Sequence, residues 1–260
     1  MKKRLTQAVI CVGVLAAIAA LIPGYGIIAK SVASVMAGDV LLLDPGHGGM
    51  DGGAVSSRGV SEKDINLAVA EEVKALAEAA GWKVVMTRET DKALEEGSGT
   101  IRSQKTQDLK ARRELIKNTK PLLAISIHLN SFTADPSVRG LQTFYPGSGG
   151  SEAVLEKSKL LAEHLQEKTM AQIQSGKERV PLAKNDTFLF KEVSCPLALM
   201  ECGFLSNPQE AELLQSSDYQ QKLAQGIFDG ITAFTGKTPH KDIDMVDSVK
   251  ESSSKEQSQD

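Results

Sequence analysis

The sequence predicts an α/β fold: a single domain with a mostly parallel, twisted sheet flanked by helices. Three observations predict it. Short apolar runs bounded by turn residues alternate with longer amphipathic stretches, as strands joined by helical crossovers do. The first run, Leu41-Leu42-Leu43-Asp44, passes through Pro45-Gly46 into a glycine bed around one histidine, His47-Gly48-Gly49-Met50-Asp51-Gly52-Gly53. Open α/β sheets place their ligands at such strand ends. Two later apolar runs also end in groups that carry chemistry, His128 and Glu201.

At 260 residues the chain can hold one full-sized α/β domain with a real core. A net charge of -3 shows no basic excess, so composition gives no support to a nucleic-acid partner. Cysteines at 11, 195 and 202 form no CxxC and no zinc-finger spacing. Cys195 and Cys202 read as reduced, mostly buried thiols, although the sequence alone leaves their pairing open.

Residues 1–37 stand outside the fold. Lys2-Lys3-Arg4 precedes an apolar run from Ala8 to Ile22, the pattern of an export signal or an uncleaved membrane anchor. Either way the basic end stays inside and the domain lies outside the membrane. Val40–Asp44 predicts the first strand. Ser61-Glu62-Lys63-Asp64 matches a capping pattern and opens a helix that Gly81 ends. Residues 82–87 alternate as a second strand, parallel to the first through a right-handed crossover.

Residues 88–105 read as a polar surface loop that could gate a cleft. Leu109 to Asn118 reads as a basic helix with a solvated face. A buried strand follows over 121–127, then a strand over 140–145 and an amphipathic helix from Glu152 to about Met170. His164 within it is an ordinary helix histidine. A polar loop over 174–186 and a short strand over 187–193 precede the last buried strand, 196–200. Asn207-Pro208-Gln209-Glu210 starts a helix with Asn as N-cap, Pro at N1 and Glu at N3. Ser217 to Thr235 closes the domain. From 236 to 260 the chain is a polar, disordered tail.

In a parallel sheet the strand C-termini and the N-termini of the following helices share one edge. His47, His128, Glu201 and Glu62 can therefore face one another. A carboxylate directly after Leu-Ala-Leu-Met is costly to bury without a partner, and a cation at this edge would supply one. Two imidazoles and one carboxylate with an open fourth position form a catalytic zinc set. The remaining acid would serve as base. Pattern alone does not decide which glutamate binds metal. Glu62 is nearer His47 and sits in a polar loop, whereas Glu201 emerges from an apolar strand where desolvation raises a pKa. Glu62 is therefore assigned as ligand and Glu201 as base. Asp44 is assigned to orient a ligand histidine, and Asp51 and Asp64 to turn and cap roles. The glycines around His47 would let a large group approach it.

The ordered segments LLLDPGHGGMDGGA, SEKDINL, SIHLNS and ALMECGFLSNPQEAELL resemble the zinc-dependent N-acetylmuramoyl-L-alanine amidases of the Amidase_3 type, over about residues 39–235. The segment Asp108-Leu109-Lys110-Ala111-Arg112 makes the chain most similar to the CwlD-type amidases of the endospore cortex. The resemblance implies the zinc amidase and exopeptidase architecture over residues 38–235. It implies Zn2+ at His47, Glu62 and His128, with Glu201 catalytic and Asn130 supporting the site or touching substrate. It implies peptidoglycan as substrate, cut between N-acetylmuramic acid and L-alanine. Stem removal of that kind prepares muramic-δ-lactam in the spore cortex, together with a separate muramic acid deacetylase. An activating or scaffolding protein is a partner left open. The competing readings are a zinc peptidase acting on the stem, a non-catalytic peptidoglycan-binding module and a structural spore protein.

Overall fold

The computed structural model describes residues 40–174 and 179–237. The export segment expected at 1–37 lies outside the described residues. So does the expected tail, apart from Gly236 and Lys237. No helix among the described residues is long and apolar enough to cross a membrane.

The elements run in the order β1 (Val40–Pro45), α1 (Glu62–Ala79), β2 (Lys83–Met86), α2 (Ile101–Thr119), β3 (Leu123–Asn130), β4 (Gln142–Pro146), α3 (Glu152–Ile173), β5 (Leu182–Lys184), a 3-10 turn (Phe188–Lys191), β6 (Leu197–Phe204), α4 (Pro208–Leu214) and α5 (Ser217–Thr235). They form one six-stranded sheet in the order β2-β1-β3-β6-β4-β5. Every neighbouring pair is parallel except β4 with β6. The predicted class, a mostly parallel sheet flanked by helices, is the class observed.

Alternation along the central strands divides the core. Leu41, Leu43, Ile125, Ile127, Ala198 and Met200 join one cluster with residues of α1, α3 and α5. Leu42, Ala124, Leu197 and Leu199 face the other way, toward Ile116 of α2 and the Leu189-Phe190 pair of the 3-10 turn. Both faces are apolar, as a parallel sheet covered on both sides requires. The α2 face changes along its length. Leu42 is followed there by Asp44, Ala124 by Ser126 and His128, and Leu199 by Glu201, so polarity accumulates at the C-terminal edge.

Several boundaries differ from those expected. β3 continues to Asn130 and β6 to Phe204, so His128 and Glu201 lie within strands rather than beyond them. The ladder bonds backbone groups whatever the side chain. α2 starts at Ile101, not Leu109. Thr100 caps it by accepting from Ser103 N at 3.3 Å. Its first turns expose their residues, so no apolar period marks them. The segment expected as a strand at 187–193 is the 3-10 turn, and its buried Leu189 and Phe190 gave the apolar signal. β5, short and exposed, lies inside the expected 174–186 loop.

One capping expectation changes and another is met. Ser61 is the N-cap of α1 but makes no side-chain cap bond. The free N–H groups of Glu62 and Lys63 instead donate to Ala54 O (2.9 Å) and Gly52 O (3.2 Å). This satisfies the helix end and docks the glycine loop on α1. Asn207 caps α4, accepting from Glu210 N. Glu210 does not close a capping box; its carboxylate accepts from Gly140 N and Phe204 N. At the far end of α1, Gly81 (φ 84°) behaves as expected. Its N–H reaches Glu78 O and Trp82 N reaches Ala77 O, a Schellman ending.

Candidate metal centre

β1 delivers the chain to the sheet edge, and the loop after it turns back onto the N-terminus of α1. At the turn His47 has φ 62°, a left-handed conformation that costs a non-glycine residue about 1 kcal/mol. Two glycines make room, but for the protein's own side chains. A Cβ at Gly46 would fall on the His128 ring, and one at Gly53 would meet Glu62 and His47. The expectation that the glycines open the histidine to a large ligand is corrected accordingly: at these two positions they let His128 and Glu62 close in.

Glu62 is buried, not set in a polar loop as the sequence suggested, because the docked loop covers it. Its Oε1 lies 3.1 Å from His47 Nε2 and 3.0 Å from His128 Nδ1. The same oxygen accepts from Leu129 N (3.0 Å) and Asn66 Nδ2 (3.3 Å), while Oε2 accepts from Ala54 N (2.8 Å). The two imidazoles meet edge to face with centroids 5.0 Å apart. One ligand atom from each of His47, Glu62 and His128 lies within 4.8 Å of the others.

Asp51, expected as a turn residue, is part of this arrangement. Its Oδ2 lies 2.9 Å from His47 Nδ1 and its Oδ1 2.6 Å from Lys105 Nζ. Burial opposes charge on His47, but Asp51 and Glu62 outweigh it and raise the imidazole to about 9. Burial likewise opposes the Glu62 anion, yet the His128 and His47 rings hold its carboxyl well below the usual range. The group thus favours positive charge at its centre. Two imidazole nitrogens and a carboxylate, close together in a field that favours a cation, are a donor set that could hold a metal ion.

Glu201 faces the group from β6. It is the register partner of His128 on β3 and shares that face of the sheet. Its Oε2 is cut off from solvent and has no hydrogen-bond partner among the described residues. Burial pushes its pKa up, and the Glu62 carboxylate adds to the rise. A carboxylate in this condition readily takes a proton.

Asp44 does not orient a histidine. It is buried behind the loop, accepting from Thr87 Oγ1 (2.7 Å), Ser126 Oγ (2.6 Å) and Arg112 Nη1 (2.8 Å). Asp51 occupies the position beside His47 expected of Asp44. Asn130 turns its Oδ1 to its neighbour Ser131 N (2.8 Å). Asp64 is an exposed first-turn acid of α1. His164 lies in α3, apart from the group. Cys195 and Cys202 are both free and buried, and burial raises the Cys195 thiol to about 12. Arg112, expected on a solvated face, is 2% exposed. A cavity of about 470 Å3 opens between Gly48–Asp51 and the stretch from Ala93 to Asp108, with Lys105 in its wall.

Residues 41–233 match the Amidase_3 family, N-acetylmuramoyl-L-alanine amidase. The chain belongs to this amidase family. The germination-specific N-acetylmuramoyl-L-alanine amidase of Bacillus subtilis (strain 168) is 37% identical, over 76% of this chain and 81% of the relative. Among solved structures, the CwlD amidase of Clostridioides difficile in complex with the GerS lipoprotein superposes with a TM-score of 0.71 at 37% identity. It covers 76% of this chain and 98% of that one. The catalytic domain of the amidase CwlV from Bacillus (Paenibacillus) polymyxa gives a TM-score of 0.64 at 31% identity, over 77% and 99% of the two chains. The amidase family and the fold expected from the sequence are thus the family and fold found.

Proposed function

We propose that this amidase is a zinc enzyme that releases stem peptides from peptidoglycan, with His47, Glu62 and His128 as ligands and Glu201 as the proton carrier. The unpartnered, desolvated Glu201 Oε2 opposite the His-Glu-His group carries this reading. What zinc supplies when bound is Lewis-acid polarisation of a carbonyl and a more acidic water. Glu62 stays ionised because rings and backbone N–H groups surround it, and so it would hold a cation at the group. Asp51 stands 2.9 Å from the His47 ring on its far side, the position a carboxylate takes behind a ligand histidine. Glu201 takes the proton of the attacking water and returns it to the leaving L-alanine nitrogen. Its raised pKa suits both transfers.

The relatives support a finer setting. The germination-specific amidase of Bacillus subtilis and the CwlD amidase support a role in spore-cortex processing. There, stem removal would precede muramic-δ-lactam formation, with a separate deacetylase completing it. The complex of the Clostridioides difficile enzyme with a lipoprotein supports an activating or scaffolding partner. Residues 38–235 would be the catalytic domain. It would be exported behind residues 1–37, as a cleaved signal or an anchor, and followed by the tail at 236–260.

Mass spectrometry of peptidoglycan treated with the 38–260 fragment, with and without zinc, tests the activity. The expected products are free stem peptides beginning at L-alanine, with stemless glycan left behind, only when zinc is present. Shortened stems still attached to sugar would make it a peptidase instead. Zinc-bound protein that gives no product would point to a missing activating partner or to immature cortex as the required substrate.

A further inference from the structure

Helix α2 contributes none of the three grouped side chains, yet it holds the chain on which His47 stands. Arg112 Nη1 donates to Asp44 Oδ1 (2.8 Å) and Pro45 O (2.9 Å), and its Nη2 donates to His47 O. Its Nε is taken by Asp108 of the same helix (2.7 Å). Arg88 completes the grip, with Nε on Pro45 O and Nη2 on Gly46 O, each at 3.0 Å. Two guanidinium groups therefore engage the carbonyls of three successive residues ending at His47.

The same helix also reaches the His47 ring. Lys105 lies about two turns before Arg112 and so on the same helix face. Its Nζ meets Asp51 Oδ1, and the other Asp51 oxygen faces His47 Nδ1. α2 thus holds His47 at its carbonyl and pairs with the carboxylate that stands 2.9 Å from its imidazole. His47 needs such a hold because φ is 62°. A residue in this region persists only where its surroundings over-determine it. A guanidinium presents five donors in a rigid plane, whereas an ammonium on a flexible stem is a point charge. Lysine at 112 could keep a charge near Asp44 but could not span the carboxylate and both carbonyls.

We propose that Arg112 is a positioning residue that sets the metal affinity of the His47–Glu62–His128 group by fixing the His47 backbone. Through it α2 governs cation binding without supplying a ligand. This rests on the reading of His47 as a metal ligand.

The test is zinc titration of the metal-stripped full-length protein against a chromophoric chelator, paired with the visible spectrum of the cobalt-loaded protein. Arg112→Lys is compared with Arg113→Lys, the same change one residue along the helix, and with His47→Ala. Arg112→Lys should keep a native circular dichroism spectrum, bind zinc about 10- to 100-fold more weakly and shift the cobalt bands. Arg113→Lys should match the parent, and His47→Ala should lose high-affinity binding. A folded Arg112→Lys with parental affinity and bands, beside a His47→Ala that has lost zinc, overturns the positioning role alone. A His47→Ala that keeps zinc overturns the ligand reading and the proposal with it. Should Arg112→Lys not fold, Asp44→Asn/Arg112→Gln removes both buried charges together and is read against the same outcomes.

Discussion

The start of α1 and strand β6 wall the His-Glu-His group on two sides, each presents a glutamate, and the two are treated in opposite ways. On the α1 wall Glu62 is surrounded by donors: two ring nitrogens, an amide side chain and two backbone N–H groups. On the β6 wall Glu201 has an oxygen cut off from solvent and without a hydrogen-bond partner among the described residues. The first carboxyl is held well below the usual range and the second pushed above it. One residue type thus becomes a permanent anion on one wall and a proton acceptor on the other. The difference lies in the donors around each side chain, since burial acts on both in the same direction.

The same substitution on each wall can break this contrast. Glu201→Gln should lower stem-peptide release by about 100- to 10,000-fold, the usual worth of a general base, while metal analysis finds zinc retained. Parental turnover would remove Glu201 from the proton's path. Glu62→Gln should lose both zinc and turnover, because the anion at the centre of the group is gone. Zinc at parental content would remove Glu62 from the ligand set.

Melting of the zinc-free proteins sharpens the contrast, since the two changes should move stability in opposite directions. Glu62 has a depressed pKa, so its stabilising contribution is present above the ordinary carboxylate range and is lost as pH falls through its lower folded value. Glu62→Gln should therefore melt lower at pH 7, by about 1–3 kcal/mol for donors left badly paired. Glu201 has a raised pKa, so the folded state pays for its charge at neutral pH and recovers as pH falls through the folded value toward the unfolded one. Glu201→Gln should melt higher than the parent at pH 7, with the gain gone below about pH 4, where glutamate in the unfolded chain also takes up its proton. Equal shifts of the same sign would show that the two walls are not differently built.

The sequence showed the apolar skeleton better than the polar one. Leu41–Leu43, Ile125–Ile127 and Leu197–Met200 announce buried strands because both faces of a covered sheet need apolar side chains. His47, His128, Glu62 and Glu201 could be gathered at one edge from topology alone. Asp51 and Arg112 could not be placed in this way. Asp51 sits among glycines in a stretch that does turn, and the reciprocal backbone bonds between Gly48 and Asp51 bring its carboxylate back to the His47 ring, a contact that turn composition does not announce. Arg112 lies in a polar helix whose period names no inward face. Its burial depends on Asp44 waiting beneath it, a contact 68 residues apart in sequence. A charged residue on a helix that answers another on a strand beneath it leaves no periodic trace. The 3-10 turn at 188–191 shows the converse, since a short apolar run looks alike as strand or as turn.

His128 and Glu201 are register partners on adjacent parallel strands, and the ladder slips by a residue just beyond them, between His128 and Asn130. Adjacent strands sit about 4.8 Å apart in any sheet. The offset between the strand of His128 and the strand of Glu201 is therefore a dimension of the backbone lattice. It does not depend on how neighbouring side chains pack. Surface loops can lengthen, shorten or change partner without detuning it, which leaves drift in the sequence free to alter what the enzyme meets while the tool itself keeps its gauge.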